Sequence, residues 1–464
     1  MLTRRPHLAL AAVAGAGVLL SVLVLPWAMP LGWDELVYAT RFSPYAGGVD
    51  VEFSAPRTRG VPLLIAPVAL WSDSVVLLRV WLLLLWAAAL YLGFLPWLRV
   101  LRPRSAGPVV VLGAAVYASV WSVLFYAGHA MPNHYTAMGA LAAVGCLLHV
   151  PRGPASYAGI VAGLATATLM RPNDGVWMAL PLLVWALLTR APAAAGAVTG
   201  GVAAGLLPWI VEAELRFGGV RERLHEASGV QGGVRPVLSV RDHLAALDGR
   251  LLCRPCDADQ PSPPGVMIWV LLAVLVVLGV RAAPRPRRAV WLLLATAACA
   301  AGPYFFLVPY AAPRFLFPAY ALLALPAAFG LLAVRDAVRG SRARTALVIG
   351  VLAVHLAGQL LLLYRHGGIQ DGARSDWERV ARVLREQGVR TPCVIGGNAQ
   401  LQPVAHAAGC RADKAAARPH ALVLLNGTPP PWARTWERHP VPDTYNKGWS
   451  VLVNPDRAIP ASGP

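Results

Sequence analysis

Charge is scarce in this sequence. Only 14% of its 464 residues are Asp, Glu, Lys or Arg, and just two of the cations are lysines. Soluble domains carry roughly a quarter charged residues, so too little polar side chain is present to cover a large water-facing surface. Acidic residues are fewer still, 23 against 41 Lys and Arg, which leaves a formal charge of +18. That surplus does not point to nucleic acid. The arginines sit singly or in small groups between apolar segments, as positive groups retained beside the cytoplasmic leaflet do. Metal and nucleotide signatures are lacking too. Cys253-Arg254-Pro255-Cys256 has no second pair at metal-ligand spacing, so no metal is expected there, although a tight disulfide or two free thiols remain open. Gly396-Gly397-Asn398 is not the G-x-G-x-x-G turn of a dinucleotide site.

What is abundant is apolar length. Hydrophobic residues make up 57% of the chain and the mean hydropathy is +0.54. A helix needs roughly 20 apolar residues to cross the hydrocarbon core, and backbone polar groups cannot go unpaired there. The pattern predicts an α-helical polytopic membrane protein with about eleven transmembrane spans. They fall near 8–29, 75–98, 107–125, 132–150, 156–170, 174–189, 194–213, 266–281, 289–308, 315–334 and 344–363. The first follows Arg4 and Arg5, is long for a secretory signal and lacks a small-x-small cleavage site, so a retained signal anchor is expected. With the N-terminus inside, the cytoplasmic breaks carry Arg99/Arg102/Arg104, Arg152, Arg190, Arg281/Arg285/Arg287/Arg288 and Arg335/Arg339/Arg342/Arg344. The opposite breaks, including the outer loops 30–74 and 214–265, are poorer in Arg. An odd number of spans then puts residues 364–464 outside.

Two domains follow: a membrane part over 1–363 and a small extracytoplasmic α/β domain over 364–464. The tail reads as a helix at 375–388, a strand at 393–397, a helix at 399–408 and strands at 421–426 and 449–454. Cys393 and Cys410 flank a strand–helix unit and can be bridged at the starts of neighbouring parallel strands. Cys146 and Cys299 fall inside spans as small apolar fillers.

Polar exceptions at the outer ends of helices are where chemistry would lie. Trp33-Asp34-Glu35-Leu36-Val37-Tyr38 directly follows the first span. Adjacent carboxylates at a membrane surface are costly unless they meet a cation or a proton donor. Asp34 can serve as a general base, or both acids can begin an interfacial helix. Arg57 and Arg59 precede a 61–71 stretch too short to cross, which reads as an interfacial helix, and Arg79 comes early in the second span. Arg171 and Arg314 sit at outer helix ends, able to hold a phosphate or to snorkel. Asp174 lies where it can orient Arg171 or cap a helix. His129 and His134, on one short outer turn, can donate to a substrate, ligate a metal or cap helices. The loop 214–265 is long and reads as a mobile element over the site.

The order of first span, Asp34-Glu35-x-x-Tyr38, loop, Arg-containing Pro/Leu segment and second span with an early Arg resembles the glycosyltransferase C superfamily. The likeness is to its branch of protein O-mannosyltransferases and lipid A aminoarabinose transferases. Gly163 to Pro172 with its Met170-Arg171-Pro172 break, and Pro313-Arg314-Phe315-Leu316-Phe317-Pro318-Ala319, are similar to further segments of that family. The family's Lys/Arg-Pro-Pro-Leu appears here as Arg57-Thr58-Arg59-Gly60-Val61-Pro62-Leu63, a departure. The resemblance implies transfer of a sugar from a polyprenyl-phosphate donor to an acceptor at the outer face of the membrane, with inversion. It places Asp34 at the catalytic carboxylate with Glu35 beside it. Arg57, Arg59, Arg171 and Arg314 are expected toward the donor phosphate, and Tyr38, His129, His134 and Asp174 near substrate. No cofactor is assigned, and a divalent cation is left open. Alanine- and arginine-rich usage suggests a high-GC bacterium, whose acceptors would be envelope glycans, glycolipids or secreted proteins. The competing readings are a transporter or flippase of a lipid-linked sugar, a glycan ligase or polymerase, and a non-catalytic scaffold. A transporter would favour internal repeats and mid-span charges, and neither stands out here.

Overall fold

The expected spans fall mostly on helices, because little in those segments competes with the helix as a way to pair the backbone in lipid. The structure, a computed structural model, describes the chain except residues 1–4, 47–48, 50, 102, 150–152, 249–250, 255–261, 285–286, 415, 417 and 458–464. Arg4, Arg102, Arg152, Arg285 and Cys256, on which parts of the sequence reading rest, lie outside the described residues. Among those described, seven helices are long and apolar enough to cross a membrane, which makes the chain a multi-pass membrane protein. Shorter apolar helices include Gly60–Ala69, Pro154–Met170 and Pro172–Leu188.

The chain divides into two compact units. The first comprises Met1–Val24, Ser54–Val61 and Leu82–Tyr364; the second comprises Leu25–Phe53, Pro62–Trp81 and Arg365–Pro464.

In the first unit, Phe317–Val338 is the central helix. It packs against Pro263–Ala282, Pro103–Ala118, Arg288–Phe306 and Asn133–Leu148, and 83% of its apolar window is buried. Lipid tails are as apolar as leucine, so such helices associate by close packing rather than by escape from water. Glycines provide that closeness. A Cβ on Gly279 would collide with the carbonyl of Pro326, and one on Gly330 with the carbonyl of Leu275. Gly139 and Gly163 face each other in the same way across Asn133–Leu148 and Pro154–Met170. Gly330→Ala is therefore expected to destabilise by about 1–3 kcal/mol through overpacking. Gly196→Ala, where nothing lies within 4 Å, should be neutral or stabilising. Thermal unfolding of both variants in detergent checks the contrast.

The expected 107–125 span is broken into Pro103–Ala118 and Trp121–Phe125. The Ser119 hydroxyl donates back to the Val116 carbonyl, and the Trp121 N–H leaves the helix ladder to donate to Gln359 Oε1 at 3.0 Å. Gln359 Nε2 in turn donates to the Pro264 carbonyl at 3.3 Å, so one buried amide ties three segments together.

In the second unit, five strands order as β2-β1-β3-β5-β4. They are β1 Val394–Gly397, β2 Arg411–Ala412, β3 Ala421–Leu425, β4 Glu437–Pro440 and β5 Trp449–Val453. Strand β1 runs parallel to β2 and β3, and β5 runs antiparallel to β3 and β4. Cys393 and Cys410 directly precede β1 and β2 and form a disulfide, as the spacing suggested. The helix expected at 375–388 is instead the end of one 45-residue helix, Arg342–Glu386. On that helix Asp376, with no exposed surface, accepts the N–H groups of Tyr445 and Asn446 at 2.7 and 2.8 Å and Trp449 Nε1 at 3.2 Å. One carboxylate thus satisfies the turn that leads into β5.

Candidate functional site

The second unit holds the carboxylate pair. Trp33–Ala39 is a short helix whose first turn contains Asp34 and Glu35. Helical periodicity turns adjacent residues to different sides, and here it separates the two acids. Asp34 is half-buried, whereas Glu35 has no exposed surface. Glu35 Oε2 accepts the Gly32 N–H at 2.8 Å, which ties the carboxylate back to the helix start. Arg79 grips both carboxylate oxygens, at 3.0 Å to Oε2 and more closely to Oε1. Arg374 donates to Oε2 at 3.2 Å and to the Pro30 carbonyl at 2.9 Å. Its guanidinium lies flat against Gly32, where a Cβ would sit 2.9 Å from Nη2. Both arginine side chains are only 7% exposed, so one carboxylate and two guanidiniums are buried together beside Asp34. Arg374 was not among the residues singled out from sequence. It lies just before the expected start of the tail helix, and no local pattern marks a partner 339 residues away.

Tyr38, on the same helix, is buried edge-on to Phe53 at 6.2 Å, and Arg41 stacks over that ring at 5.9 Å. Burial, reinforced by Asp73, pushes the Tyr45 phenol up to about 12, so it remains a neutral donor to the Ser74 carbonyl.

The first unit holds the arginines. Arg171, in the break between Pro154–Met170 and Pro172–Leu188, donates from Nε to Asp174 Oδ2 at 2.7 Å and from Nη2 to the Tyr304 hydroxyl at 2.5 Å. The Tyr304 hydroxyl donates to Asp174 Oδ1 at 2.5 Å, which closes a three-membered network. Asp174 is thus the residue that orients Arg171. Arg314 lies in the 3-10 turn Pro313–Leu316 and donates to the Tyr126 hydroxyl at 3.1 Å and the Leu251 carbonyl at 2.8 Å. The Phe315 ring carries both cations, with Arg171 at 5.2 Å and Arg314 at 5.4 Å from its centroid. Two arginines far apart in sequence are thereby brought to one ring.

Arg57 and Arg59 reach the same unit through Ser54–Val61. The Thr58 hydroxyl donates to the carbonyl of Met170, the residue before Arg171, and Gly60 is packed on Leu169 and Met170. Arg59 donates to Glu212 Oε1 at 3.0 Å from Nε, so its charge is matched by a carboxylate at the end of Pro192–Arg216. Glu212, Arg223, Tyr304 and Tyr126 were not anticipated. The one available signal was an acid at the end of a span, at Glu212.

The two histidines are buried among aromatic rings. His134 lies over Trp86 with centroids 5.1 Å apart, and is bonded to the Trp86 carbonyl through Nε2 and to the Tyr117 hydroxyl through Nδ1. Both ring nitrogens are engaged by these two partners. His129 stacks on Phe125 at 4.6 Å, next to the Tyr126 that meets Arg314. Among the described residues no three His, Cys, Asp or Glu side chains gather as a metal ion would require.

The loop 214–265 is tethered. The N–H groups of Arg235, Val237 and Ser239 donate to the carbonyls of Leu307, Phe306 and Phe305, and Cys253, itself disulfide-bonded, pairs with Ala311. His243 on this loop is boxed by Tyr304, Phe305 and Phe315, and burial pushes its pKa down to about 4, so the ring is neutral.

The chain matches no protein-family model and no curated protein. Its fold is similar to that of solved structures. ArnT from Cupriavidus metallidurans bound to undecaprenyl phosphate aligns with a TM-score of 0.67 at 12% identity, covering 98% of each chain. The apo form of that protein aligns at 0.65 and 13% identity, over 97% of this chain and 98% of that one. The oligosaccharyltransferase of Archaeoglobus fulgidus aligns at 0.50 and 13% identity, over 88% of this chain and 64% of that one. The chain therefore shares the fold of these solved structures, in the first two over nearly its whole length.

Proposed function

We propose that this chain is a membrane glycosyltransferase that moves a sugar from a polyprenyl-phosphate donor to an acceptor at the outer face of the cytoplasmic membrane, with inversion. The observation that carries the reading is the division of labour in Trp33–Ala39, where Glu35 is locked between two guanidiniums and its neighbour Asp34 is partly exposed. Likeness over nearly the whole chain to a protein bound to undecaprenyl phosphate supports the donor class. Residues 1–363 serve as the membrane part and 364–464 as an extracytoplasmic domain facing the acceptor, which is an envelope glycan, a glycolipid or a secreted protein.

In this reading Asp34 takes the proton from the acceptor hydroxyl as its oxygen attacks the anomeric carbon. The bond from that carbon to the phosphate oxygen breaks on the opposite face of the sugar. Polyprenyl phosphate leaves with its charge matched by Arg57, Arg171 and Arg314, donors already oriented before the charge develops. Glu35, Arg79 and Arg374 hold the short helix that presents the base. Arg59 keeps its charge on Glu212 and contributes to the shape of its segment.

The purified protein in detergent is given a panel of polyprenyl-phosphate sugars with a membrane extract as acceptor source. Transfer by the wild type, lost by about 100-fold or more in Asp34→Asn with donor binding retained, is the expected result. No turnover with any donor, or full activity in Asp34→Asn, would overturn the reading in favour of transport or glycan ligation.

A further inference from the structure

Arg223 is a fully buried guanidinium that the proposed chemistry does not use. It belongs to Val220–Val230, in the loop that follows Pro192–Arg216. A charged group with no exposed surface is tolerated only when its donors are satisfied, and the partners chosen here are informative. Nε donates to the carbonyl of Ala55 at 3.0 Å. One amino group donates to the carbonyl of Trp209 at 2.7 Å. The other donates to the carbonyl of Arg57 at 3.0 Å and to Glu212 Oε2 at 3.0 Å. The guanidinium carbon lies over the rings of Trp209 and Phe217, at 4.5 and 4.4 Å from their centroids.

Two of these acceptors are main-chain carbonyls of the segment that carries Arg57, one of them Arg57's own. The same Glu212 that pairs with Arg223 also pairs with Arg59. Trp209 Nε1 adds a further contact to the Ala55 carbonyl at 3.4 Å. Ser54–Gly60 has no helix or strand ladder of its own before Gly60; the Arg57 N–H donates to the Ser54 carbonyl at 3.0 Å, and the carbonyls of Ala55 and Arg57 take their donors from elsewhere. Arg223 supplies those donors from a different part of the chain.

We propose that Arg223 is a positioning residue for donor binding. It fixes the backbone path of Ser54–Gly60 and thereby the place of Arg57, and it makes donor affinity depend on the fold of the loop helix Val220–Val230. The inference rests on the transferase reading. A lysine cannot reproduce it, because one ammonium has three N–H donors for these four acceptors and no flat face to lay on a ring.

The test is a double-mutant cycle on Arg223→Lys and Arg57→Gln in the full-length protein. It reads donor KM and kcat separately, together with direct binding of polyprenyl phosphate. Arg223→Lys is expected to raise KM and weaken binding about tenfold, with kcat within about twofold. Because Arg223 acts through Arg57, the double variant should bind no worse than Arg57→Gln alone. Hydrogen exchange of the amides at 54–60 should be faster in Arg223→Lys. Losses that add, a fall in kcat at unchanged KM, or unchanged binding in Arg223→Lys would overturn the assignment while leaving the transferase reading intact. A wild-type protein that neither transfers sugar nor binds polyprenyl phosphate would overturn both.

Discussion

Glu35→Gln is expected to lower stability by on the order of 3–5 kcal/mol, while Asp34→Asn changes stability little and removes transfer. The two acids are neighbours of the same charge, so the contrast must come from their surroundings. Glu35 has no exposed surface and is the shared partner of Arg79 and Arg374, each 7% exposed. Neutralising it leaves two guanidiniums buried without their counter-charge, and removing one partner of a buried pair is the costly way to break it. An amide also cannot accept from Gly32, Arg79 and Arg374 on both of its former oxygens. Asp34 is half-buried, so the same change from carboxylate to amide meets a smaller desolvation penalty there. Thermal unfolding in detergent, measured beside transfer, separates the two effects. Arg374→Met placed on Glu35→Gln should recover part of the lost stability, because it removes one of the stranded charges. If Glu35→Gln unfolds at the wild-type temperature, the buried cluster does not hold the helix, and Glu35 returns as a candidate for the chemistry.

That division was not legible in the sequence. Asp34-Glu35 after a first span marks the place, but which acid faces its cations depends on Arg374, which comes 339 positions later than Glu35. The spans were legible because about 20 apolar residues in lipid have few alternatives. The continuous helix Arg342–Glu386 was not, since Gly367, Gly368 and Gly372 lower helix propensity between the expected span at 344–363 and the expected helix at 375–388. Gly372 has its own reason: the Tyr445 ring lies where a Cβ would be, so the glycine marks a close approach and not a break. Edge strands β2 and β4 escaped notice because Arg411-Ala412 and Glu437-Arg438-His439-Pro440 carry no alternating apolar face. The disulfide was legible because two cysteines flanked one strand–helix unit, and the parallel pairing of β1 with β2 brings their starts together. Arg171 and Arg314 were each visible as a cation at a helix end. Their meeting at Phe315 was not, because neither sequence neighbourhood contains the other.

The meeting at Phe315 sets the second large effect. Arg171→Gln and Arg314→Gln are each expected to weaken binding of polyprenyl phosphate by about 10- to 100-fold, since charge-assisted hydrogen bonds to a phosphate contribute roughly 1.5–3 kcal/mol. Arg171→Lys should recover little of this. The lysine keeps the charge but cannot satisfy Asp174 and Tyr304 while also presenting a flat donor pair. Tyr304→Phe makes the argument sharper. It removes the hydroxyl that joins Arg171 to Asp174 and leaves every charge in place, so any loss of donor affinity reflects lost orientation and not lost attraction. A loss of about threefold to tenfold is expected for it, smaller than for Arg171→Gln. Direct binding of polyprenyl phosphate to the detergent-purified variants, at fixed ionic strength, measures all four. The alternative, that both arginines are helix-end cations reaching for the membrane interface, predicts a different pattern. Affinity would then be unchanged in all four variants, and Tyr304→Phe would cost only stability. A graded loss across Tyr304→Phe, Arg171→Lys and Arg171→Gln is what an oriented phosphate ligand produces and a snorkelling side chain does not.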